Sequence, residues 1–302
     1  MTSCASEPDI SSRARWPTRS FSLSDVTARE GSRSHFPDFN LPQRLAAEGI
    51  GTCFLLMAVV GSGILGARLA SGNTAVALIA NALATAAALY ALIEWLGPVS
   101  GAHFNPLVTA ALVIRGDLPL RTGASYVLVQ LVGAMLGVGV ANAMFAAPVF
   151  SVSVNDRSGF SNLLSEFVST FGLLGAVWVC SRLRPASVAG VVAAYIGGAF
   201  WFTATDFANP AVTIARAFTD SFAGIRPQDV LGFIAAQVTG AGAAIVVFRW
   251  LLPARAGVHK AASPFFSPEY STPAHSPRRT QGELSERAAI LAEPTSRERS
   301  GS

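Results

Sequence analysis

Two short motifs, each an asparagine followed by a proline, have the clearest capacity for chemistry in this sequence. The motifs read Asn105-Pro106-Leu107 and Asn209-Pro210-Ala211. Asparagine is favoured at the N-cap of a helix and proline in its first turn, so each motif predicts a helix start. A helix N-terminus carries roughly half a positive charge. If the two helices begin opposite one another, their ends and the two amides would repel a cation and offer hydrogen bonds to a neutral molecule.

Four other polar residues lie inside long apolar stretches: Glu48, Glu166, Gln130 and Gln237. Ionisable groups are costly in such stretches and usually functional. The two glutamates could relay protons, or their oxygens could hold backbone N–H groups of unwound segments; we favour the second interpretation. The two glutamines are interpreted as hydrogen-bond residues between helices. His103, just before Asn105, could gate with pH or be a packed loop residue.

Several functional classes find no support in the sequence. It contains no nucleophile–base pair, metal-ligand cluster or phosphate-binding loop, so we predict no enzyme, no cofactor and no metal. Cys4, Cys53 and Cys180 lack metal or disulfide spacing. The net charge of +4 comes from basic residues that flank apolar stretches. Because they are not gathered on one folded domain, we predict no nucleic-acid partner.

The elements that must position the two motifs are membrane helices. The sequence is 51% hydrophobic and 13% charged, against about a quarter charged in soluble proteins. Six stretches approach the roughly 20 residues that cross a bilayer as a helix. The predicted spans are 44–66, 74–96, 120–147, 160–181, 186–204 and 229–252.

Two further apolar pieces are too short to cross. They run from Asn105 to about Ile114 and from Asn209 to about Phe218. Ten helical residues cover roughly 15 Å, half of a hydrocarbon core of roughly 30 Å. We therefore predict two re-entrant half-helices. The irregular segments 97–104 and 203–208 before them would supply carbonyl acceptors, which is tolerated only where backbone lines an aqueous cavity.

The sequence contains an internal repeat, about 43–147 and 160–252. Residues 48–52 parallel 166–170, residues 105–109 parallel 209–213, and residues 130–134 parallel 237–241. Each half holds three spans, an odd number, so the halves must be inverted in the membrane. Matching interrupted segments in inverted repeats indicate a site near the midplane. The fold class is thus an all-α membrane protein with an inverted repeat.

The ends of the chain differ from its middle. Residues 1–42 and 255–302 are rich in Ser, Pro and charge, which predicts disordered tails around a channel domain at 43–254. Arginines at 115, 121, 182, 184 and 249 would lie on one side, against those at 68, 157, 216 and 226 on the other. With the basic tails, this asymmetry predicts both termini in the cytoplasm. We expect the cell (inner) membrane.

These residues resemble the aquaporin, or major intrinsic protein, family. The resemblance is carried by residues 100–106 and 207–211 and by the glutamate and glutamine pattern, and it covers about 43–252. It implies a right-handed six-helix bundle with two half-helices, assembled in the lipid bilayer as a homotetramer with one pore per subunit. The run of residues 209–220 looks like a bacterial branch of that family.

The sequence departs from the family pattern at the expected constriction. Leu107 stands where the family usually has alanine, and Val212 where it usually has an arginine that repels cations. Carrying the family's filter over by its spacing from the asparagines gives Thr85, Gly197, Asp206 and Val212, which suggests a wide opening. Asp206 could pair with Arg216, or point away while its carbonyl faces the pore; we favour the latter.

The expected function is a passive channel for small neutral solutes. Glycerol-like polyols, metalloid hydroxides such as arsenite, and water are the expected substrates, because the branch that the second motif resembles includes members linked to arsenic resistance. An ion- or proton-coupled secondary transporter is the alternative, since such transporters share inverted repeats and broken helices. A non-conducting junction or scaffold protein, whose tails carry the function, is a third possibility.

Overall fold

Six long apolar helices make up most of the protein. The computed structural model describes residues 39–252, and within this range each of the six is long and apolar enough to cross a membrane, the fifth when counted together with the 3-10 turn before it. They are α1 (Leu41–Leu69), α2 (Thr74–Ser100), α4 (Leu120–Met144), α5 (Phe160–Leu183), α6 (Val188–Phe202) and α8 (Pro227–Leu251). A single 3-10 turn, Pro185–Ser187, leads directly into α6. The prediction of an all-α, six-span membrane protein is confirmed.

Two short helices complete the fold. They are α3 (Pro106–Arg115, 10 residues) and α7 (Pro210–Arg216, 7 residues). Helices of this length extend roughly 10 to 15 Å and stop inside a hydrocarbon core of roughly 30 Å. The second one ends two residues before the predicted Phe218. Both are consistent with re-entrant half-helices.

The segment before α3 is shorter than predicted. Helix α2 continues through Pro98 to Ser100, so the prediction of irregular backbone from Gly97 was wrong. The helix ends at Gly101, whose φ of 94° is left-handed, and whose N–H donates to the Gly97 carbonyl at 2.9 Å. That carbonyl therefore caps the helix and is not offered to the pore.

The spanning helices of each repeat pack through glycine. A Cβ at Gly133 of α4 would overlap the carbonyl oxygen of Gly49 in α1, and a Cβ at Gly240 of α8 would overlap that of Phe167 in α5. These close approaches bring the backbones of α1 and α4, and of α5 and α8, into direct contact. Gly242, two residues beyond Gly240 in α8, makes no such contact: a Cβ there would have nothing within 4 Å.

Two long loops pair with one another at one end of the bundle. The N–H of Ser153 donates to the Ala217 carbonyl at 3.0 Å, and the N–H of Arg226 to the Asn155 carbonyl at 2.9 Å. The loops 145–159 and 217–226 therefore form one layer beside the end of α7. The predicted tails, 1–42 and 255–302, lie outside the described residues except at 39–42, where α1 begins.

Candidate channel pore

The two half-helices meet through their N-cap asparagines. Asn105 accepts from the N–H of Leu107 at 2.9 Å, and Asn209 accepts from the N–H of Ala211 at 3.0 Å. Each side-chain amide then donates across the repeat boundary: Asn105 Nδ2 to the Ala208 carbonyl at 2.8 Å, and Asn209 Nδ2 to the Phe104 carbonyl at 2.7 Å. The two helix N-termini are therefore held side by side.

The residue before each asparagine has an unusual backbone. Phe104 and Ala208 both have a φ of 48°, in the left-handed region that residues with a Cβ rarely adopt. Such a conformation costs about 1–3 kcal/mol and persists only where the surroundings enforce it. Here it turns each carbonyl toward the opposite asparagine.

Glu48 supplies the enforcement in the first repeat. Its carboxyl oxygens accept from the backbone N–H groups of His103 and Phe104, both at 2.9 Å. They also accept from the Ser100 hydroxyl at 2.7 Å and from Gln130 Nε2 at 2.8 Å. All four partners are donors, which suits a carboxylate that only accepts. Glu48 is fully buried, so every one of these bonds is sheltered from water.

Glu166 repeats the arrangement in the second half. It accepts from the N–H groups of Phe207 at 2.9 Å and Ala208 at 3.0 Å, and from Gln237 Nε2 at 2.7 Å. Both glutamates thus satisfy backbone donors that leave helical hydrogen bonding. These contacts are the ones expected of glutamates that hold unwound backbone, and that structural role stays our prediction.

Two threonines that were not predicted as site residues join this network. Gln130 Nε2 donates to Thr109 Oγ1 at 3.0 Å, and Gln237 Nε2 donates to Thr213 Oγ1 at 2.8 Å. Each threonine lies four residues after its N-cap asparagine. Their equal spacing in the two motifs was the signal that could have identified them.

The asparagine amides retain hydrogen-bonding capacity. Each –NH2 group has two donors, and the cross-repeat bond uses one of them. Asn105 and Asn209 both line a cavity of about 70 Å³ within the bundle. The amides can therefore donate to a molecule in that cavity while the helix N-termini place partial positive charge beside it. This combination favours an oxygen acceptor and opposes a cation.

The rest of the cavity wall is mainly apolar. Four spanning helices contribute to it, α1 and α2 from the first repeat and α5 and α6 from the second. Their apolar lining residues are Leu55, Val59, Leu89, Ile93, Leu173, Val177, Val188, Val192, Ile196 and Phe200. Apolar walls with a few placed polar groups are typical of sites for small molecules.

The structure brings three of the four expected filter residues to this cavity. Thr85, Asp206 and Val212 line it. Gly197 does not: a Cβ there would meet the Cβ of Ala86 in α2 at 3.0 Å, so this position faces the contact between α2 and α6. Phe200, one turn beyond, lines the cavity instead. Spacing along the sequence does not fix the rotation of α6 about its axis.

Asp206 does not pair with Arg216. Its Oδ1 accepts from the Ser169 hydroxyl of α5 at 2.6 Å, and its Oδ2 is enclosed without a hydrogen-bond partner in the described part of the chain. No ion pair within 4.0 Å joins it to Arg216 in residues 39–252. The carboxyl is thus directed toward α5, although the residue borders the cavity.

Several remaining residues position the pore. Leu107 is half-buried and packs against the core, and Pro106 and Pro210 occupy the first helical positions. His103 is buried, with Nδ1 3.1 Å from Thr109 Oγ1. Its ring lies 5.1 Å from that of Tyr126 and borders the cavity.

The loop layer contains a partly buried arginine. Arg157 donates from Nε to the Gly224 carbonyl at 2.7 Å, and its Cζ lies 5.2 Å from the Phe207 ring centroid. Burial lowers the pKa of its guanidinium, although the carboxylate of Glu166 acts in the opposite direction. At the exposed rim, Arg226 binds Asp156 at 2.9 Å and Asp229 at 3.0 Å. These contacts hold the two loops of this layer together.

Comparison with known proteins identifies the family. The family model described as Major intrinsic protein matches residues 36–207, more than half of the chain. The chain belongs to the major intrinsic protein family. Members of this family are membrane channels and not enzymes, and the six apolar helices make this chain a multi-pass membrane protein.

Individual members of the major intrinsic protein family give the same assignment. Aquaglyceroporin AqpS of Rhizobium meliloti (strain 1021) is 44% identical over 232 residues, covering 76% of this chain and 99% of that protein. Probable aquaporin TIP2-2 of Oryza sativa subsp. japonica is 26% identical over 211 residues, covering 68% and 85%. The X-ray structure of the aquaglyceroporin from Plasmodium falciparum aligns with a TM-score of 0.52 at 20% identity, covering 70% of this chain and 95% of that one. The structural likeness supports the fold.

Proposed function

We propose that the protein is a passive channel for small neutral solutes that carry hydroxyl groups. Water, glycerol-like polyols and metalloid hydroxides such as arsenite form the proposed substrate class. The observation that carries the proposal is the meeting of two half-helix N-termini, whose Asn105 and Asn209 amides border one cavity.

The electrostatics of this cavity favour neutral molecules. Two helix N-termini place partial positive charge beside a narrow apolar passage. A cation there would lose its hydration shell and find few groups to replace it. A hydroxylated solute can instead accept from the asparagine amides while its carbon side contacts residues such as Leu89 and Val192. Polar groups on one side and apolar walls on the other suit a polyol.

Arsenite belongs to the same chemical class. It is a neutral trihydroxy molecule near pH 7, with an oxygen face similar to that of a polyol. The name of the 44% identical relative describes that protein as an aquaglyceroporin, which supports glycerol and water as substrates here. Val212 in place of an arginine adds room at the expected filter, although Phe200 takes part of the space that Gly197 was expected to leave open.

Flux into liposomes tests this function. Proteoliposomes containing the full chain should take up water, glycerol and arsenite faster than empty liposomes in stopped-flow measurements. Uptake should stay proportional to the solute gradient and be unaffected by proton or sodium gradients. Uptake of glycerol and arsenite no faster than in empty vesicles would refute the proposal. Saturable uptake driven by an ion gradient would indicate a coupled transporter.

We further propose a homotetramer in the cell (inner) membrane with both termini in the cytoplasm. Support comes from large apolar side chains on the outer faces of the spanning helices, among them Leu83 (65% exposed) and Leu231 (78% exposed). Such faces need lipid or neighbouring copies. Chemical cross-linking of the protein in membranes should yield species up to four subunits. Cysteines introduced at Arg68 and Arg121 should react with a membrane-impermeant reagent from opposite sides.

A further inference from the structure

The second half-helix ends in a buried arginine that reaches back along its own helix. Arg216 lies four residues after Val212, so both residues occupy the same face of α7. Helical side chains lean toward the N-terminus of their helix. Arg216 follows this rule: its Cζ lies 3.4 Å from the ring centroid of Phe207, a loop residue that precedes the helix. Its guanidinium is therefore displaced toward the level of Val212.

The guanidinium is anchored and still has free capacity. Nε donates to the buried carbonyl of Ala223 and the ring of Phe207 stacks beneath it. This is the side-chain hydrogen bond that Arg216 makes among residues 39–252, and it uses one of the five N–H donors of an arginine. Asp206 Oδ2 is enclosed and has no hydrogen-bond partner, and the terminal nitrogens of Arg216 are not enclosed in this way. Arg216 also borders the cavity. A fixed positive charge therefore lies at the passage.

The other charged groups nearby are already engaged. Arg157 lies on the same ring, but its Nε and terminal nitrogen donate to loop carbonyls. Glu166 accepts from the backbone and from Gln237. Asp206 is turned toward Ser169. Arg216 is the member of this group whose donors remain available to the cavity.

Comparison of the two repeats distinguishes residues that the fold requires from residues that act at one end of the pore. Residues that hold the half-helices occur in both repeats, as the glutamates and asparagines show. Counting from Asn105, the positions equivalent to Asp206 and Arg216 are Ala102 and Leu112. The fold is thus built in the first repeat without either charge. These two charges serve the end of the pore formed by the second repeat.

We propose that Arg216, in place of an arginine at position 212, supplies the positive charge that excludes small cations from the outer constriction of this pore. The inference rests on the proposed channel function. A guanidinium in a narrow, weakly polar passage repels a cation strongly, since little water screens it. The same donors bind the oxygen atoms of a neutral solute. The residue that supplies the filter charge thus lies one helical turn beyond Val212, while its guanidinium reaches back toward the level of Val212.

Planar bilayers and liposomes containing the full chain test the relocation. Potassium current and glycerol uptake are measured for the wild type, Arg216→Gln and Arg226→Gln. The last is a matched control, because it removes the same charge from the loop layer without bordering the cavity. We expect a potassium current at least roughly tenfold above wild type for Arg216→Gln alone, as the loss of a charge interaction of about 1.4 kcal/mol implies.

Moving the charge back provides the decisive comparison. The double variant Arg216→Gln with Val212→Arg should be as tight to potassium as the wild type. A purely structural role for Arg216, pinning the loop at Ala223, predicts no such rescue. Arg216→Gln with Asp206→Asn should carry less potassium current than Arg216→Gln, because an acidic side chain that borders the cavity is removed.

A histidine at the same position keeps the test valid if Arg216→Gln does not fold. Arg216→His should conduct potassium at pH 8 and become tight at pH 5.5, since an ordinary histidine gains its charge near pH 6.5. A folded Arg216→Gln with normal glycerol uptake and no potassium current would overturn the inference, and so would a pH-independent Arg216→His. Wild-type glycerol uptake equal to that of empty liposomes would instead overturn the proposed function, while the potassium comparison would still decide the role of Arg216.

Discussion

At the scale of single residues, the two buried glutamates show how the chain can leave a helix inside a membrane. Unwinding the backbone before α7 frees the N–H groups of Phe207 and Ala208, and both residues are buried. Glu166 accepts from both. A buried donor left without a partner costs about 1–3 kcal/mol. One carboxylate therefore offsets two such costs and fixes the left-handed turn at Ala208.

Replacing this carboxylate by an amide tests that role. In Glu166→Gln one carboxyl oxygen becomes an –NH2 group, which faces either a backbone N–H or the Gln237 amide. We expect a loss of about 2 kcal/mol of stability, seen as a lower thermal unfolding midpoint of the purified protein, together with slower glycerol uptake.

Glu94→Gln is the control for that substitution. It makes the same change in α2 at an exposed position, so the unfolding midpoint should stay within error of the wild type. Unchanged stability of Glu166→Gln combined with altered proton flux would favour a proton relay instead.

At the scale of helices, the close contact of α5 with α8 depends on the missing side chain of Gly240. The backbone of α8 at this point lies directly against the Phe167 carbonyl. Contacts between small residues let membrane helices gain packing energy where lipid provides no hydrophobic driving force between them. The corresponding contact of α1 with α4 at Gly133 shows that both repeats use it.

Two leucine substitutions in α8 distinguish the effect of the contact with α5 from the effect of helix propensity. Gly240→Leu should push α8 away from α5 and destabilise the protein by about 1–3 kcal/mol. Gly242→Leu, two residues along the same helix, enters open space and should be neutral or gain up to about 1 kcal/mol of helix propensity. The two variants are compared by their thermal unfolding, monitored by size-exclusion chromatography. Equal destabilisation by both leucines would contradict the packing argument.

At the scale of the whole molecule, the contacts that join the two half-helices lie within the described residues. The asparagine bonds, both glutamate networks and the loop layer fall within residues 39–252. A chain lacking 1–38 and 253–302 should therefore keep the glycerol permeability of the full chain within about twofold, which corresponds to less than about 0.5 kcal/mol. Stopped-flow uptake at matched protein content measures this. Loss of uptake by a folded truncated protein would place the function in the tails.

The sequence predicted the features that depend on neighbouring residues in the chain. It was less informative about the features that depend on packing between helices. The spans, the half-helix starts and the inverted repeat follow from hydropathy, from Asn-Pro and from spacing, and the structure contains the six helices. The continuation of α2 through Pro98 was missed, because Gly97-Pro98 reads as a helix end until the cap at Gly101 is seen. The direction of Gly197 depends on how α6 rotates against α2, which spacing does not encode.

The paired asparagines also have a consequence for how the protein is made. Each one bonds the other repeat, at sequence separations of 103 and 105 residues. Ribosomes add about 5–20 residues per second, so the first motif waits roughly 5–20 s for its partner to be synthesised. During that time the Asn105 amide and the Phe104 carbonyl lack their final bonds. The passage can therefore form only after both halves have been inserted. The growing chain consequently does not form a partly assembled pore that conducts.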